Sequence, residues 1–369
     1  MASLLVTVLV SIAIPCVLIG IVCNAVVLFC ILCTPCLRTR TNAIIISLAF
    51  SSFCFLFFVV PFIIDSFLTN TWRYSMWYCH LTARLSFMLV GVTVNNIAVL
   101  GLYRYFCVVQ RSKPALRGKW CILILISVCW ALPMLFQLVY TFTGWTKSVF
   151  IPSYGRCILA KNSVTSGRAY DVLLLSGIII PFLIALFSYG SIIIAVKSSA
   201  RKVRAEPKAS QRKSNTDQNE DATYAEGAST CPDPTTISTD GKSESRDTEP
   251  SCSKTAATTS QVARNGRRRR GVKKRGVISH QEIVLTKICA VMFVFFSACY
   301  GPILLLTIAF SSTAFPPDAY TTCTIIYWMG SCINPIVYAT LQTEMRLALM
   351  KLIPLLTCKG QRQVHSVNM

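Results

Sequence analysis

The chain has 369 residues, of which 53% are hydrophobic and 14% are charged, and its mean hydropathy is +0.56. This composition excludes an ordinary soluble domain and indicates a membrane protein. The formal net charge of +21 would suit a nucleic-acid-binding protein, but the basic residues cluster between apolar segments. We therefore expect no nucleic-acid partner.

Seven apolar segments are long enough to cross a bilayer as helices. They lie at 4–33, 42–69, 79–109, 120–142, 169–197, 282–311 and 319–341. A cleaved signal peptide is the alternative for the first segment, which begins close to Met1. Against it, that segment continues past Asn24, and no basic residue precedes it. We predict an all-α membrane protein with a bundle of seven transmembrane helices.

Basic residues follow the first, third and fifth segments, and all of them fall on one side of the membrane if there are seven spans. They are Arg38, Arg40, Arg111, Lys113, Arg117, Lys119, Arg201, Lys202, Arg204 and the runs 267–270 and 273–275. The positive-inside rule makes this side cytoplasmic, which places the N-terminus outside. The basic excess also favours contact with anionic membrane lipids. We expect a multi-pass protein of the plasma membrane.

The sequence divides into four regions. Residues 1–197 contain spans one to five, and residues 281–341 contain spans six and seven. Between them, residues 198–280 are rich in Ser, Thr and charged residues and nearly free of aromatic ones, which predicts a disordered third cytoplasmic loop. Residues 342–369 begin with a pattern typical of an amphipathic helix on the inner membrane surface and end as a cytoplasmic tail. In that tail Cys358 is either a palmitoylation site or a free thiol.

Most of the 18 cysteines lie inside the apolar segments, where a thiol behaves as a small apolar group. Cys79 and Cys157 instead flank spans on the predicted outer side, where disulfides form. We therefore predict that these two residues pair, which would join the second outer loop to the top of the third span. Cys323, near the outer end of the seventh span, is a weaker candidate and is expected to remain reduced.

Several polar or helix-distorting residues stand at defined places within the spans. Arg104 follows Cys79 by 25 positions, which is about 37 Å of helix, so it lies at the cytoplasmic end of the third span. Glu282 begins the sixth span, and residues 296–302 form an aromatic-rich kink that ends in a proline. The seventh span contains the run Asn-Pro-Ile-Val-Tyr at 334–338. The other landmarks are Asn24, Ser47, Leu48, Ala49, Trp130, Pro181 and Tyr189.

In this order and spacing, the landmarks resemble the rhodopsin-like, or class A, family of G-protein-coupled receptors, and the resemblance extends over every span. It implies that Cys79 and Cys157 form the family's outer disulfide. It also implies that Arg104 contacts a heterotrimeric G protein, while Tyr189 and Tyr338 move inward on activation. Arrestin and kinases would act through the long third loop. Because no nucleophile–base set or metal-ligand spacing appears, we expect no enzyme, cofactor or metal.

An arginine at the inner mouth of a helix bundle is costly unless it is paired. Glu282, at the start of the sixth span, is the partner that we expect for Arg104. Loss of this pair would free the sixth helix to swing outward about Pro302, a two-state movement that an outer ligand can bias. Two simpler alternatives to this ion pair stay open. In the first, Arg104 extends to lipid phosphates. In the second, Glu282 is a solvated acid of the kind favoured at a helix start.

Three residues depart from the family pattern. Tyr103 replaces the acid that usually precedes the arginine. Tyr300 replaces the usual Trp two residues before Pro302, where with Phe296 it should still act as a packing switch. Ser52 replaces the usual aspartate of the second span, which puts the family's sodium site in doubt and favours a neutral, water-bridged cluster. The other members of that cluster would be Asn24, Thr93, Ser331 and Asn334. Asn334 and Pro335 also belong to the activation switch that the resemblance implies.

Two positions narrow the class of ligand. Trp328 stands where retinal-binding opsins have a lysine, and Ser86 stands where amine receptors have an aspartate, so we expect neither retinal nor a biogenic amine. Both residues, with Tyr300, are candidates for contact with another small extracellular ligand. A channel or transporter is the alternative of a different class. It would require paired charges or broken helices at mid-membrane, where Arg84 is the one residue that could be charged.

Within the family, four stretches are most similar to the medium-chain fatty-acid receptor and its invertebrate relatives, and melatonin-type receptors come second. The stretches are 37–42, 71–73, 300–306 and 330–335. The first likeness implies a lipid acid as ligand, and the second an indoleamine. A carboxylate is bound well by an arginine fork, and the candidates are Arg168, at the outer start of the fifth span, and Arg84. For each of them the alternative is contact with a lipid headgroup or a salt bridge in a loop.

Overall fold

The structure is a computed structural model that describes residues 4–110, 113–221, 280–309 and 316–351. The chain divides into two units, Met1–Ala200 with Ile278–Met369, and Arg201–Val277. Every feature of the site described below lies within the first unit. We call the end of the bundle that carries Cys79 the outer end and the opposite one the inner end.

Nine α-helices and one β-hairpin are found in the described residues, and we number them in chain order. The helices are α1 (Leu4–Cys33), α2 (Arg40–Phe58), α3 (Val60–Thr69), α4 (Met76–Val108), α5 (Lys119–Phe142), α6 (Val164–Asp221), α7 (His280–Ala309), α8 (Pro317–Leu341) and α9 (343–351). The strands are β1 (Thr146–Ile151) and β2 (Arg156–Lys161). Single 3₁₀ turns lie at Pro35–Leu37, Pro114–Arg117 and Pro152–Tyr154.

Six helical stretches of the described residues are long and apolar enough to cross a membrane. They are Thr7–Cys33, Arg40–Thr69, Met76–Val108, Lys119–Phe142, Gly167–Ser199 and Ile283–Thr307. Many large apolar side chains on them point away from the bundle, and Leu18, Leu123 and Phe187 are 59%, 52% and 60% exposed. Such a surface is unfavourable in water and suits contact with lipid.

The seventh span is α8, which has 25 residues and a lower hydropathy than the other spans. It carries Thr321, Thr324, Ser331 and Asn334, and all four side chains are buried inside the bundle. Its polar side therefore faces α1 and α7, with which it makes extensive contact, rather than lipid. Polar residues in spans are tolerated where neighbouring helices enclose them. The seven-helix bundle agrees with the sequence prediction.

The second span is broken into two helices, which the sequence analysis did not predict. Helix α2 ends at Phe58 and α3 begins at Val60, with Val59 between them at φ −121° and ψ −55°. The cause is Pro61 at the second position of α3, because proline lacks an N–H and its ring displaces the carbonyl four residues before it. The break lies near the outer end of the span.

The second outer loop forms a β-hairpin, a local addition to the helical bundle that was not predicted from the sequence. Strands β1 and β2 pair antiparallel from Thr146 opposite Lys161 to Ile151 opposite Arg156. Apolar and β-branched residues in both strands favour this pairing. Gly155 closes the turn at φ +56°, and a Cβ atom there would lie 2.4 Å from Cδ1 of Phe67. Both the backbone angle and the close contact therefore require glycine.

The boundaries of the third inner loop also differ from the prediction. Helix α6 continues to Asp221, so residues 198–221 are helical rather than disordered, since Ala, Lys, Arg and Glu are frequent there and favour a helix. The rest of the predicted loop, residues 222–279, lies outside the described residues. The predicted amphipathic helix is present as α9, where Met345 is buried and Leu347 is exposed. Cys358 lies outside the described residues.

Candidate functional site

A disulfide between Cys79 and Cys157 fixes the hairpin over the outer end of the bundle, as the sequence suggested. It joins the first turn of α4 to β2, with the two Cα atoms 5.5 Å apart. Both cysteines are buried, together with Ala83, against Trp72 and Phe150. Cys323 is a free thiol. The hairpin thus forms a roof that is covalently tied to the third span.

Beneath this roof lies a cavity of about 730 Å³, enclosed by α4, α5, α6, α7 and α8. We call it the outer cavity. Its size and its mostly apolar wall are typical of sites for small organic molecules. The apolar wall residues include Phe87, Val90, Phe136, Leu174, Ile178, Phe182, Phe296, Ile303 and Leu304, and tyrosines at 154, 170, 300, 320 and 327 add polar edges.

Three charged residues line the outer cavity: Arg156, Lys161 and Asp171. Lys161 Nζ lies 2.7 Å from Asp171 Oδ2, so these two charges compensate each other. Arg156 is 7% exposed and its Nε is buried without a hydrogen-bond partner. Burial alone lowers the pKa of Arg156, but the nearby hydroxyl groups of Tyr320 and Tyr327 raise it by more. Arg156 is therefore a buried cation at the roof.

The structure brings only some of the predicted ligand contacts into the outer cavity. Ser86 and Tyr300 line it. Trp328 is fully buried in the packed core, outside the cavity wall. The preceding residue, Tyr327, does line the cavity. Because successive side chains of a helix are rotated by about 100°, Trp328 faces the neighbouring core instead.

Neither predicted arginine lines the outer cavity. The Arg84 guanidinium donates to Thr141 Oγ1 on α5, and Arg168 is exposed. Residues close to both arginines in sequence, such as Phe87 and Asp171, do line the cavity, but neither arginine side chain does. Arg156 was not predicted from the sequence, although its position next to the disulfide cysteine was a usable signal.

Tyr300 forms part of the floor of the outer cavity. Its ring stacks on Phe296 at 4.3 Å between centroids and lies 5.6 Å from the ring of Tyr327. Its hydroxyl lies 3.5 Å from Ser331 Oγ on α8. Pro302 follows two residues later inside α7. The residues expected to act as a packing switch are thus in contact with both the cavity and the seventh span.

Below this floor lies a neutral polar cluster. Asn24 Nδ2 donates to the carbonyl oxygens of Gly20, at 2.8 Å, and Ser331, at 3.1 Å. A small cavity of about 10 Å³ is lined by Asn24, Asn334 and Pro335, among others. It approaches the minimum size for a single water molecule. Asn24 Oδ1 and Asn334 Nδ2 are buried there without protein partners, so this space suits one bridging water.

The residue that replaces the family's acid, Ser52, is fully buried with no partner for its hydroxyl. The neighbouring Ser51 hydroxyl lies 3.3 Å from Thr93 Oγ1. Within the described ranges, no three His, Cys, Asp or Glu side chains form a group that could hold a metal ion. The geometry is consistent with a cluster held by neutral hydrogen bonds.

At the inner end, Arg104 is 3% exposed and has no carboxylate partner among the described residues. Its Nη2 donates to Thr41 Oγ1 at 3.0 Å, and the Cys289 thiol on α7 lies near its guanidinium. The side chain of Glu282, the expected partner, lies outside the described residues. Arg104 thus connects α4 to α2 and α7 through neutral groups.

Two buried tyrosines approach Arg104 from the fifth and seventh spans, Tyr189 and Tyr338. The Tyr189 ring stacks on Phe293 at 5.2 Å between centroids. It also contacts the backbone of α4, because a Cβ atom on Gly101 would lie 2.9 Å from Tyr189 Cε2. The predicted inner residues are therefore brought together in one cluster.

The comparison with protein families decides the identity of this bundle. The family model for the seven-transmembrane receptors of the rhodopsin family matches residues 23–338. The chain belongs to this family. Because the family consists of receptors, the receptor is not an enzyme, as the sequence predicted.

Three relatives illustrate the similarity of this receptor to known proteins. The high-affinity lysophosphatidic acid receptor of Xenopus laevis is 28% identical over 49% of this chain and 48% of its own length. The G-protein coupled receptor moody of Drosophila melanogaster is 24% identical over 90% of this chain and 49% of its own length. The G-protein coupled receptor 84 of Homo sapiens is 24% identical over 95% of this chain and 92% of its own length. The chain spans about half the length of the first of these relatives.

A solved structure supports the fold of the receptor. The crystal structure of squid rhodopsin has a TM-score of 0.65 and 18% identity to this chain, covering 96% of it and 87% of the squid protein. At this identity the likeness concerns the fold alone. The finer likeness to fatty-acid or melatonin-type receptors stays a prediction.

Proposed function

We propose that this receptor acts at the plasma membrane and transmits the binding of a small, lipid-like extracellular ligand to a heterotrimeric G protein. The observation that carries this proposal is one face of α7. Tyr300 and Phe296 on that face line the outer cavity, Met292 lines the small cavity, and Cys289 lies near Arg104. We call these four residues the switch face.

The spacing of the switch face explains how one helix can serve both ends. Residues 289, 292, 296 and 300 follow the three-and-four spacing that keeps side chains on one side of a helix. From Cys289 to Tyr300 the helix rises about 16 Å. A ligand that changes the packing of Tyr300 therefore acts on the same rigid element that contacts Arg104.

The movement that we propose is an outward swing of the inner half of α7 about Pro302. Proline inside a helix removes one backbone hydrogen bond and favours a kink. The swing would separate Cys289 from Arg104 and free the guanidinium for a G protein, while Tyr189 and Tyr338 fill the space that is left. The ligand biases this equilibrium by binding the two states with different affinity.

Glu282 is the acid that we expect to hold the resting state, because it begins the same helix and Tyr103 supplies no adjacent carboxylate. Arrestin and kinases are the expected partners of the third inner loop. Both expectations come from the family resemblance.

The lipid-like character of the ligand is supported by the apolar wall of the outer cavity. It is also supported by the name of one relative, a receptor for lysophosphatidic acid. A biogenic amine would need a free carboxylate in the cavity, and Asp171, the only acid that lines it among the described residues, is paired with Lys161. No described feature favours a channel or transporter.

The proposal is tested with purified receptor in lipid nanodiscs and a panel of Gα subtypes. Nucleotide exchange would be measured without ligand and with free fatty acids, lysophospholipids and indoleamines. We expect acceleration on at least one Gα subtype by a lipid. Acceleration by an indoleamine alone would favour the melatonin-type alternative, and no acceleration on any Gα would contradict the receptor proposal.

A further inference from the structure

The backbone of Arg156 in the roof is fixed by two constraints. It directly precedes Cys157, whose disulfide to α4 fixes β2 covalently, and it pairs with Ile151 across the hairpin. Its guanidinium is buried close to Tyr327 on α8. A buried side chain on a fixed backbone is partly pre-organised, so less entropy is lost when it binds a further group.

The charge balance of the outer cavity leaves Arg156 uncompensated. The described lining residues include two cations, Arg156 and Lys161, and one acid, Asp171. Because Lys161 and Asp171 form an ion pair, two cations and one acid leave one positive charge, and it belongs to Arg156. No described carboxylate lies within ion-pair distance of this guanidinium. Buried charges are costly unless they are paired.

We infer that Arg156 binds the acidic headgroup of an amphipathic ligand, whose apolar tail occupies the lower part of the outer cavity. The inference rests on the proposed function of that cavity as the ligand site. Arg156 is 7% exposed, and its Nε has no partner although it is buried. A guanidinium offers a planar fork that matches the oxygens of a carboxylate or a phosphate.

The surroundings of Arg156 fit a headgroup above and a tail below. The rings of Tyr154 on the hairpin turn and Tyr320 on α8 lie 4.5 Å apart between centroids and are tilted by 36°, and with Tyr327 they form a polar rim near the guanidinium. The rest of the wall is mostly apolar, with Ser86, Asn95 and Thr324 among its few polar residues. A single anionic group joined to an unbranched apolar chain satisfies both regions.

A purely structural role for Arg156 is the competing explanation, because its guanidinium lies close to Tyr327 and could help to hold the hairpin against α8. The two roles predict different effects of an Arg156 substitution. If the role is structural, the substitution should lower the thermal midpoint by the same amount with and without an amphiphile. If Arg156 binds the headgroup, the substitution should reduce the additional stabilisation that an acidic amphiphile gives.

The test uses the purified full-length receptor in nanodiscs and three probes with the same tail: decanoic acid, decyl phosphate and decanol. The thermal midpoint is measured against probe concentration for wild type, Arg156→Gln, Arg156→Lys and Arg168→Gln. Arg168→Gln is the matched control, since that arginine lies outside the cavity. Binding rather than signalling is measured, so failure of G-protein coupling leaves this test intact.

We expect at least one acid to stabilise wild type and decanol to have little effect. Arg156→Gln should weaken the apparent affinity for that acid by about tenfold to a hundredfold, and Arg156→Lys, which keeps the charge without the fork, should fall between. Arg168→Gln should match wild type. Comparison of the stabilisation by decanoic acid with that by decyl phosphate shows whether the site prefers a carboxylate or a phosphate.

Three results would overturn the inference: equal stabilisation of wild type and Arg156→Gln by the acids, stabilisation by decanol as strong as by either acid, or no stabilisation of wild type by either acid. If an acid stabilises wild type through Arg156 but no Gα responds, the inference holds and the proposed function fails.

Discussion

The ring of Tyr300 packs directly against Gly330. A Cβ atom on Gly330 would lie 2.7 Å from Tyr300 Cε2, closer than real side chains approach. The same ring stacks on Phe296, and its hydroxyl faces Ser331. The sixth and seventh spans therefore meet, at the floor of the outer cavity, through a position where only glycine fits without displacement. This contact links the outer cavity to the span that carries Asn334.

Replacing Gly330 by Ala should displace Tyr300 from its stack on Phe296. Overpacking of this kind costs about 1–3 kcal/mol, so we expect a lower thermal midpoint together with altered basal G-protein activation. The matched control is Gly190→Ala, because a Cβ atom at Gly190 meets nothing within 4 Å. Unchanged stability and signalling in Gly330→Ala would show that Tyr300 is free to move aside and is not held as a switch.

Removing the disulfide should loosen the roof of the outer cavity. In Cys157→Ser we expect a loss of stability within the usual range of about 2–5 kcal/mol and a weaker response to any ligand that needs Arg156. Thermal unfolding and ligand titration of the purified variant measure both effects. The control is Cys323→Ser, which removes a free thiol from the outer part of α8. A loss of stability with unchanged ligand affinity would show that the position of the hairpin does not affect ligand binding.

Sodium should have little effect on this receptor. Ser52 is buried and neutral, so we expect the same thermal midpoint and basal activity in sodium chloride and in choline chloride at equal ionic strength. Ser52→Asp introduces, at a buried position of the second span, the charge that the family usually has there, and should make both quantities sodium-dependent. The control is Ser52→Asn, which adds similar volume without charge. A sodium-dependent wild type would contradict the neutral cluster.

Loss of the acid at position 282 should raise basal activity. If Glu282 holds the resting state through Arg104, Glu282→Ala and Glu282→Gln should both increase agonist-free signalling in cells at matched surface expression. Lys287→Ala, at an exposed position on the same helix, serves as the control. Unchanged agonist-free signalling in both Glu282 variants would contradict this role of Glu282. The hydrogen bond to Thr41 and the nearby Cys289 would then be what holds Arg104.

The features predicted correctly from sequence depend on chemistry that is local or on long apolar segments. Cys79 and Cys157 were identified because both flank spans on the outer side. Arg104 was located at the inner end because the number of residues after Cys79, multiplied by the rise per residue of a helix, gives its depth in the bundle. Seven spans follow from length and hydropathy, even though α8 is less apolar than the others. None of these requires knowledge of how the helices rotate about their axes.

The residues that line the outer cavity were harder to predict because they depend on that rotation. Arg84 and Arg168 lie on helices that line the cavity, but neither side chain is part of its wall. Arg156 enters the cavity through a hairpin whose strand pairing depends on the turn at Gly155 and on the disulfide. The break at Val59 is likewise a backbone response to Pro61 within an otherwise uniform apolar segment. Hydropathy is insensitive to all of these features.

The most direct measurement of the central claim compares wild-type receptor with Arg104→Ala in nucleotide exchange on purified Gα subtypes. The matched control is Arg38→Ala, an exposed arginine near the inner end that donates to the carbonyl of Leu32. All three proteins must reach the cell surface equally. Our account predicts exchange by wild type and Arg38→Ala on at least one Gα subtype, and loss of that exchange in Arg104→Ala. Equal exchange by Arg104→Ala and wild type would contradict it.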